Sequence, residues 1–369
     1  MPGTPFRPRN FSLRPTENTP PVKGAAKRSS RIRKSGKKPT KSVKFDAERA
    51  KKKAQKNTLV RLNVVVYGNG NESADVEMKD AAGPSSPRVP KVVPVVLPRA
   101  FLQPSVCEPS DEAIAAATGS SYSGQTAAFV RDNLESMGSQ SLKAVCSITA
   151  EVNHAVLPKE MDVVVNDTAA SNYPTHMLAV YAPVPPKPEN APSSWVPPKT
   201  DIKLYPVHAI FMASHCAKLS AFPPSPTIAT EFTPSSTPRT VTLPVRPLCL
   251  PSPSTFPTLL RHFYLRSQDA LFESFLPSVP PLEFIENCTS EEQTQALAKV
   301  IGETYTPLAL LKYAKTIQGV WQNACALGVF DDQLWNAIDA CYEVILSALA
   351  IGTGNPRAVF VSKTSTPVA

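Results

Sequence analysis

The stretch Leu204-Tyr205-Pro206-Val207-His208-Ala209-Ile210-Phe211-Met212-Ala213-Ser214-His215-Cys216 reads as a short strand that runs directly into a helix. Pro206 disfavours helical backbone in the residue before it, so the first part is extended. From Ala209 onward the apolar residues recur at helical spacing. A change of period inside one segment predicts a mixed α+β fold.

Apolar segments alternate with proline clusters on both sides of this stretch. Residues 161–165 and 173–181 read as strands, with Asn166-Asp167 turning between them. Residues 240–244 and 248–250 read as further strands. Residues 254–266 form a helix, with Phe256, Leu259, Leu260 and Phe263 on one side. These elements define a central region, 142–282, interrupted by proline-rich insertions near 182–200 and 223–238 that read as disordered. Prolines at such density cannot lie in central sheet.

The chain changes character after residue 282, where only Pro307 interrupts the run to Asn355. Ser290 with Gln293 forms a capping box for a helix whose Leu297, Val300 and Ile301 share a face. A second helix starts at Pro307 and stops at Gly328, with Leu310, Ala314, Ile317, Trp321 and Ala324 in register. A third starts at Asp331 or Asp332 and carries Leu334, Trp335, Ile338, Cys341, Tyr342, Ile345 and Leu349. Three consecutive amphipathic helices predict a helical bundle over 283–352, followed by a disordered tail at 353–369. Trp321 and Trp335 are either core residues or partner anchors.

The 369 residues include 40 prolines and 14 glycines, which disfavours a mostly ordered α/β enzyme. The net charge of +9 is unevenly placed. Residues 1–61 hold 19 Lys+Arg against 3 Asp+Glu, leaving 20 against 27 for the rest. The chain is thus a basic arm, 1–58, joined to a mildly acidic body. With few large apolar residues, the arm reads as disordered. Its clustered Lys27, Arg28, Arg31, Arg33, Lys34, Lys37 and Lys38 have the pattern of a nuclear localisation signal. The arm could also attract nucleic acid without sequence preference. Residues 59–141 read as a proline-rich linker. It holds a strand at 59–67, a further linker at 83–109, and helices at 111–118 and 125–137, the last stopped by Gly138.

No apolar run of membrane-spanning length and no secretory signal is present, so a soluble intracellular chain without a membrane partner is expected. Seven cysteines are scattered without CxxC spacing, the pattern of small buried residues rather than disulfides or a zinc site. His208, His215 and Cys216 are the strongest catalytic candidates. Neighbours on a helix point in different directions, and no third group is placed beside them, so a structural role is expected instead. No catalytic, cofactor-binding or metal-ligating set is therefore expected, and no enzyme. Thr4, Ser86 and Thr237 each precede proline in predicted linkers and are candidates for phosphorylation.

Residues 204–219 resemble the strand-to-helix segment of BTB domains, with Val207-His208 leading an apolar helix to Ser214. Met161-Asp162-Val163-Val164-Val165 is similar to that family's first strand, and Phe256 to Tyr264 to its Phe-x-x-Leu-Leu helix. The match puts His208 on a buried structural histidine. The whole arrangement resembles the clampless-type developmental regulators of basidiomycete fungi. The specific part is Ile317-Gln318-Gly319-Val320-Trp321-Gln322-Asn323-Ala324-Cys325-Ala326-Leu327-Gly328-Val329-Phe330-Asp331-Asp332-Gln333-Leu334-Trp335. That resemblance implies a nuclear, non-enzymatic regulator of mating-type-controlled sexual development, acting in clamp-cell formation and dikaryon growth through protein contacts. The expected partners are nuclear regulatory proteins such as transcription factors, an import receptor, and a second copy of the chain. A nucleic-acid-binding transcriptional regulator using the arm is the alternative.

Overall fold

The computed structural model describes residues 59–67, 90–119, 122–150, 157–166, 172–189, 200–228 and 237–359. Strands β3 (Ile148–Thr149), β4 (Glu160–Val165), β5 (His176–Tyr181), β6 (Lys203–Val207) and β7 (Arg239–Cys249) form one sheet in the order β3-β4-β7-β5-β6. The pattern of β4 alternates exposed and buried, so one face is solvated. In β5 the first five residues are all buried, as a strand covered on both faces must be. The mixed α+β reading therefore holds.

The two segments read as separate strands around Pro244 are one continuous strand, β7. It pairs antiparallel with β4 through Pro244 and parallel with β5 from Val245. The proline, which has no N–H to give, stands where the strand changes partner. β7 also lies between β4 and β5, so Asn166-Asp167 does not join neighbouring strands. Residues 223–228 at the start of the second insertion are seated in the fold. Ser225 Oγ donates to the Thr175 carbonyl at 2.6 Å, and Pro226–Ile228 makes a 3-10 turn.

Helices α1 (Asp111–Thr118), α2 (Ala127–Cys146), α3 (Ala209–His215) and α4 (Phe256–Leu265) pack with the sheet. Helix α2 is capped by Thr126, whose hydroxyl accepts from Phe129 N–H, and it runs through Gly138 to Cys146. Gly138 is therefore no stop. A Cβ there would collide with the Tyr264 carbonyl of α4, so glycine is the close-approach residue between two helices. Alanine in a helix interior normally gains about 1 kcal/mol over glycine. Gly138→Ala is expected instead to destabilise the fold by about 2 to 3 kcal/mol, measured by urea denaturation. A stabilised variant would contradict the close packing.

The C-terminal part begins with α5 (Gln268–Phe275) and α6 (Leu282–Glu286), which the sequence reading did not resolve. It continues through α7 (Glu291–Thr304), α8 (Pro307–Leu327) and α9 (Asp332–Gly352). The predicted caps Ser290 and Asp331 accept from the first turn, Thr306 does the same just before the predicted start at Pro307, and Gly328 ends α8 in left-handed backbone. Val300 does not share the face of Leu297 and Ile301 but is 60% exposed. One residue from Ile301 is a rotation of about 100°, which carries it to the solvent side. By length and composition α9 could cross a membrane. Fourteen of its residues are nevertheless buried, so it is the central core helix of this structure.

β1 (Leu59–Tyr67) and β2 (Pro90–Pro98) form a separate antiparallel pair. Residues 90–98, read as linker because of their prolines, are thus a strand. Pro90, Pro94 and Pro98 recur every four residues, so all three present their missing N–H to the same side of the strand and need not break the ladder. Val60 and Leu62 turn inward and join the main hydrophobic core, and Val64 on the same face is buried as well.

Candidate interaction site

His208 caps α3 at the point where β6 ends. The Tyr264 hydroxyl accepts from the His208 backbone N–H at 2.9 Å and can then donate to its Nδ1, also at 2.9 Å. That leaves Nε2–H to donate to the Asn172 carbonyl at 3.3 Å. Burial lowers the imidazole pKa to about 4, so the ring is neutral and all its polar atoms are engaged. Cys216 is also buried, which pushes its thiol pKa well up and holds it protonated. It forms a β-bridge to Val329, beside the loop between α8 and α9.

Asp331 stands at the centre of the same junction. Its Oδ1 accepts from the N–H groups of Gln333 and Leu334, capping α9, while Oδ2 accepts from His262 Nε2 of α4 at 3.1 Å. Burial opposes its charge, but the His262 hydrogen bond and the nearby imidazoles hold the carboxyl below the usual carboxylate range. His215 Nδ1 donates to the Phe211 carbonyl at 2.8 Å, and its Nε2 lies 3.8 Å from Asp331. Burial lowers the His215 pKa to about 3. Arg131 of α2 closes the junction by donating to the carbonyls of Ser214 and Phe330. Two of the three catalytic candidates, His215 and Cys216, thus sit at an inter-element junction, while His208 is bound separately to Tyr264. Sequence reading found Asp331 only as a cap. His262 and Arg131 carry no local signal, because their partners lie 69 and 83 to 199 residues away.

The two tryptophans have different surroundings. Trp335 is 3% exposed, and its Nε1–H donates to the Val329 carbonyl at 2.9 Å. Trp321 is half-buried, stacks on Phe101 with ring centres 4.9 Å apart, and donates to the Leu102 carbonyl at 3.0 Å. Phe101 belongs to the segment after β2, which is clamped onto the C-terminal helices. There Tyr342 donates to the Pro98 carbonyl at 2.7 Å, and Arg99 binds both carboxylate oxygens of Glu343 at 2.6 and 2.7 Å. Trp321 therefore anchors a strap of this same chain.

The localisation residues Lys27, Arg28, Arg31, Arg33, Lys34, Lys37 and Lys38, and the sites Thr4 and Ser86, lie outside the described residues. Thr237 is described and exposed, two positions before β7 begins. Besides these groups the surface offers a shallow groove of about 360 Å³ at the starts of β6 and the 253–255 turn, lined in part by Val184, Asp201, Lys203 and Ser254. It also offers the outer face of the β1–β2 hairpin, where Leu59, Val65, Val92 and Val96 are exposed.

Comparison with known proteins finds two family models along the chain. Residues 104–251 match the Clampless protein 1 N-terminal domain, and residues 269–369 match the Clampless protein 1 C-terminal domain. Curated proteins named Clampless protein 1, from two strains of Cryptococcus neoformans var. neoformans serotype D, are 32% identical over 108 residues. That segment is 29% of this chain and spans about a fifth, 21%, of the length of those relatives. No solved structure matches the chain. Helix α4 falls between the two matched regions. It binds the first through Tyr264 and His208, and the second through His262 and Asp331.

Proposed function

The chain belongs to the clampless protein family, and from that membership we propose that it is a nuclear, non-enzymatic regulator of mating-type-controlled sexual development. In this reading it supports clamp-cell formation and dikaryon growth by binding other regulatory proteins. The observation that carries the developmental role is the match of both family domains, which together run from residue 104 to the C-terminus apart from α4 and its flanks. The binding mode is supported by the disposition of the catalytic candidates: all three are buried, His208 is held by Tyr264 and Asn172, and His215 Nδ1 donates within its own helix. The centre is read as a divergent BTB-like interaction region, on the strength of the β6-to-α3 passage and the buried His208 at its turn.

Nuclear entry is assigned to the basic arm, through an import receptor that reads Lys27 to Lys38. In cells of the source fungus, a fluorescent chain lacking residues 1–58 is expected to lose nuclear accumulation and to keep its protein partners in a pull-down. Clamp formation in a deletion strain should be restored by the full chain and not by one with those seven bases changed to alanine. If the body without the arm binds a defined DNA site, the nucleic-acid alternative replaces this reading.

A further inference from the structure

The β1–β2 hairpin has two edges of different character. Pro90, Pro94 and Pro98 stand opposite Tyr67, Asn63 and Leu59. Having no N–H, these prolines belong to pairs that do not exchange ladder hydrogen bonds. The alternate pairs, Val60–Leu97, Leu62–Val95 and Val64–Val93, then carry the ladder, and the backbone groups of Leu59, Arg61, Asn63, Val65 and Tyr67 point away from β2. Among the described residues no strand pairs with that outer edge, and no backbone hydrogen bond outside the hairpin reaches residues 59–67. The β2 edge is blunted by its prolines, as edges that must not pair usually are. Among the described residues the β1 edge, Leu59–Tyr67, carries no proline.

We propose that the outer edge of β1 pairs antiparallel with β1 of a second copy of this chain, centred on Asn63, to make a four-stranded sheet across a two-fold axis. This pairing gives a surface to the self-association expected from sequence.

Charge selects this arrangement. With Asn63 opposite Asn63, Arg61 lies across from Val65 of the other copy, and the two arginines are about 14 Å apart along the strands, beyond the roughly 8 Å screening length. The two Leu59 residues are about 27 Å apart, so the arms that precede them, each with 18 Lys+Arg against 3 Asp+Glu, enter at opposite ends. Parallel pairing would bring those arms side by side. Both outer edges of the combined sheet are then β2 edges carrying prolines, and growth stops at two copies. Val60, Leu62 and Val64 keep their inward face, because antiparallel pairing of outward-facing residues preserves side-chain alternation.

The test uses the full chain in sedimentation velocity over a dilution series. The wild type should show a monomer–dimer equilibrium. Asn63→Asp and Asn63→Lys each put like charges on the two-fold axis, at a position whose side chain is exposed in the monomer. Each should weaken dimerisation by at least about tenfold with an unchanged far-ultraviolet spectrum. An equal mixture of the two variants should dimerise again, because the opposed charges then attract. Val65→Pro, which removes an outward-pointing N–H and no donor of the β1–β2 ladder, should also weaken the dimer. A wild type that stays monomeric would overturn the proposal, as would variants that dimerise like the wild type or a mixture no tighter than either variant alone. Pairing of β1 with an unrelated extended peptide while the chain stays monomeric would assign the edge to a different occupant.

Discussion

Lowering the pH from about 7 to about 4 is expected to unfold the body of this protein, with stability falling by on the order of 6 kcal/mol across that window. The cause is His208 and His215, whose pKa values burial lowers to about 4 and about 3. In the unfolded chain both imidazoles take up protons near the ordinary value of about 6.5. Between that value and the folded ones, unfolding binds protons, so acid favours the unfolded state. The stability that comes from keeping the rings neutral is complete above about pH 6.5 and is lost progressively below it. Each ring contributes about 1.4 kcal/mol per unit, so the pair can remove the whole stability of a domain worth 5 to 15 kcal/mol. His176 is lowered by burial as well and acts in the same direction. The depressed Asp331 adds its part only below the ordinary carboxylate range, as its protonation breaks the bond to His262. Circular dichroism followed through an acid titration measures the effect. A melting temperature that stays constant from about pH 7 to about pH 5 would show that these rings are solvated.

Trp335→Ala should cost about 3 to 5 kcal/mol, the range for truncating a large buried aromatic. The indole is 3% exposed among the first residues of α9, and its N–H satisfies the Val329 carbonyl next to the β-bridge with Cys216. Its loss leaves a cavity and an unpaired buried acceptor where α3 meets the α8–α9 loop. Trp321→Ala should cost less, about 1 to 2 kcal/mol, because that ring is partly solvated. Its main effect should be to loosen residues 98–102 and raise their susceptibility to limited proteolysis. Urea denaturation of the two variants gives the comparison. Equal losses at both positions would contradict the different environments.

Local signals in the sequence were good guides wherever a local interaction determines the backbone. Ser290 and Asp331 were legible as caps because a cap hydrogen bond closes within three residues. Gly328 was legible as a stop because left-handed backbone is a local property. Gly138 shows the limit of that logic. The same residue type acts there through lack of bulk, toward a carbonyl that is distant in sequence, and nothing nearby distinguishes the two uses. Strand β2 was hidden for a related reason. Proline density argues against a strand in general, and only the partner register shows that three prolines fall where no donor is needed. The junction of Arg131, His215, His262 and Asp331 draws on four separate elements, so only its members were visible beforehand, not their meeting.

Helix α4 carries a consequence for how this family can vary. One side of it holds His208 through Tyr264, and the other holds Asp331 through His262, with residues 262 and 264 less than one turn apart. The stretch outside both family matches is therefore the pin on which the two matched regions are hung. A hybrid assembled from two relatives cannot be joined freely anywhere in 252–268. Whichever parent supplies α4 also dictates what each neighbouring half must present to it, so the halves are inherited as a matched set even though they are recognised as two domains.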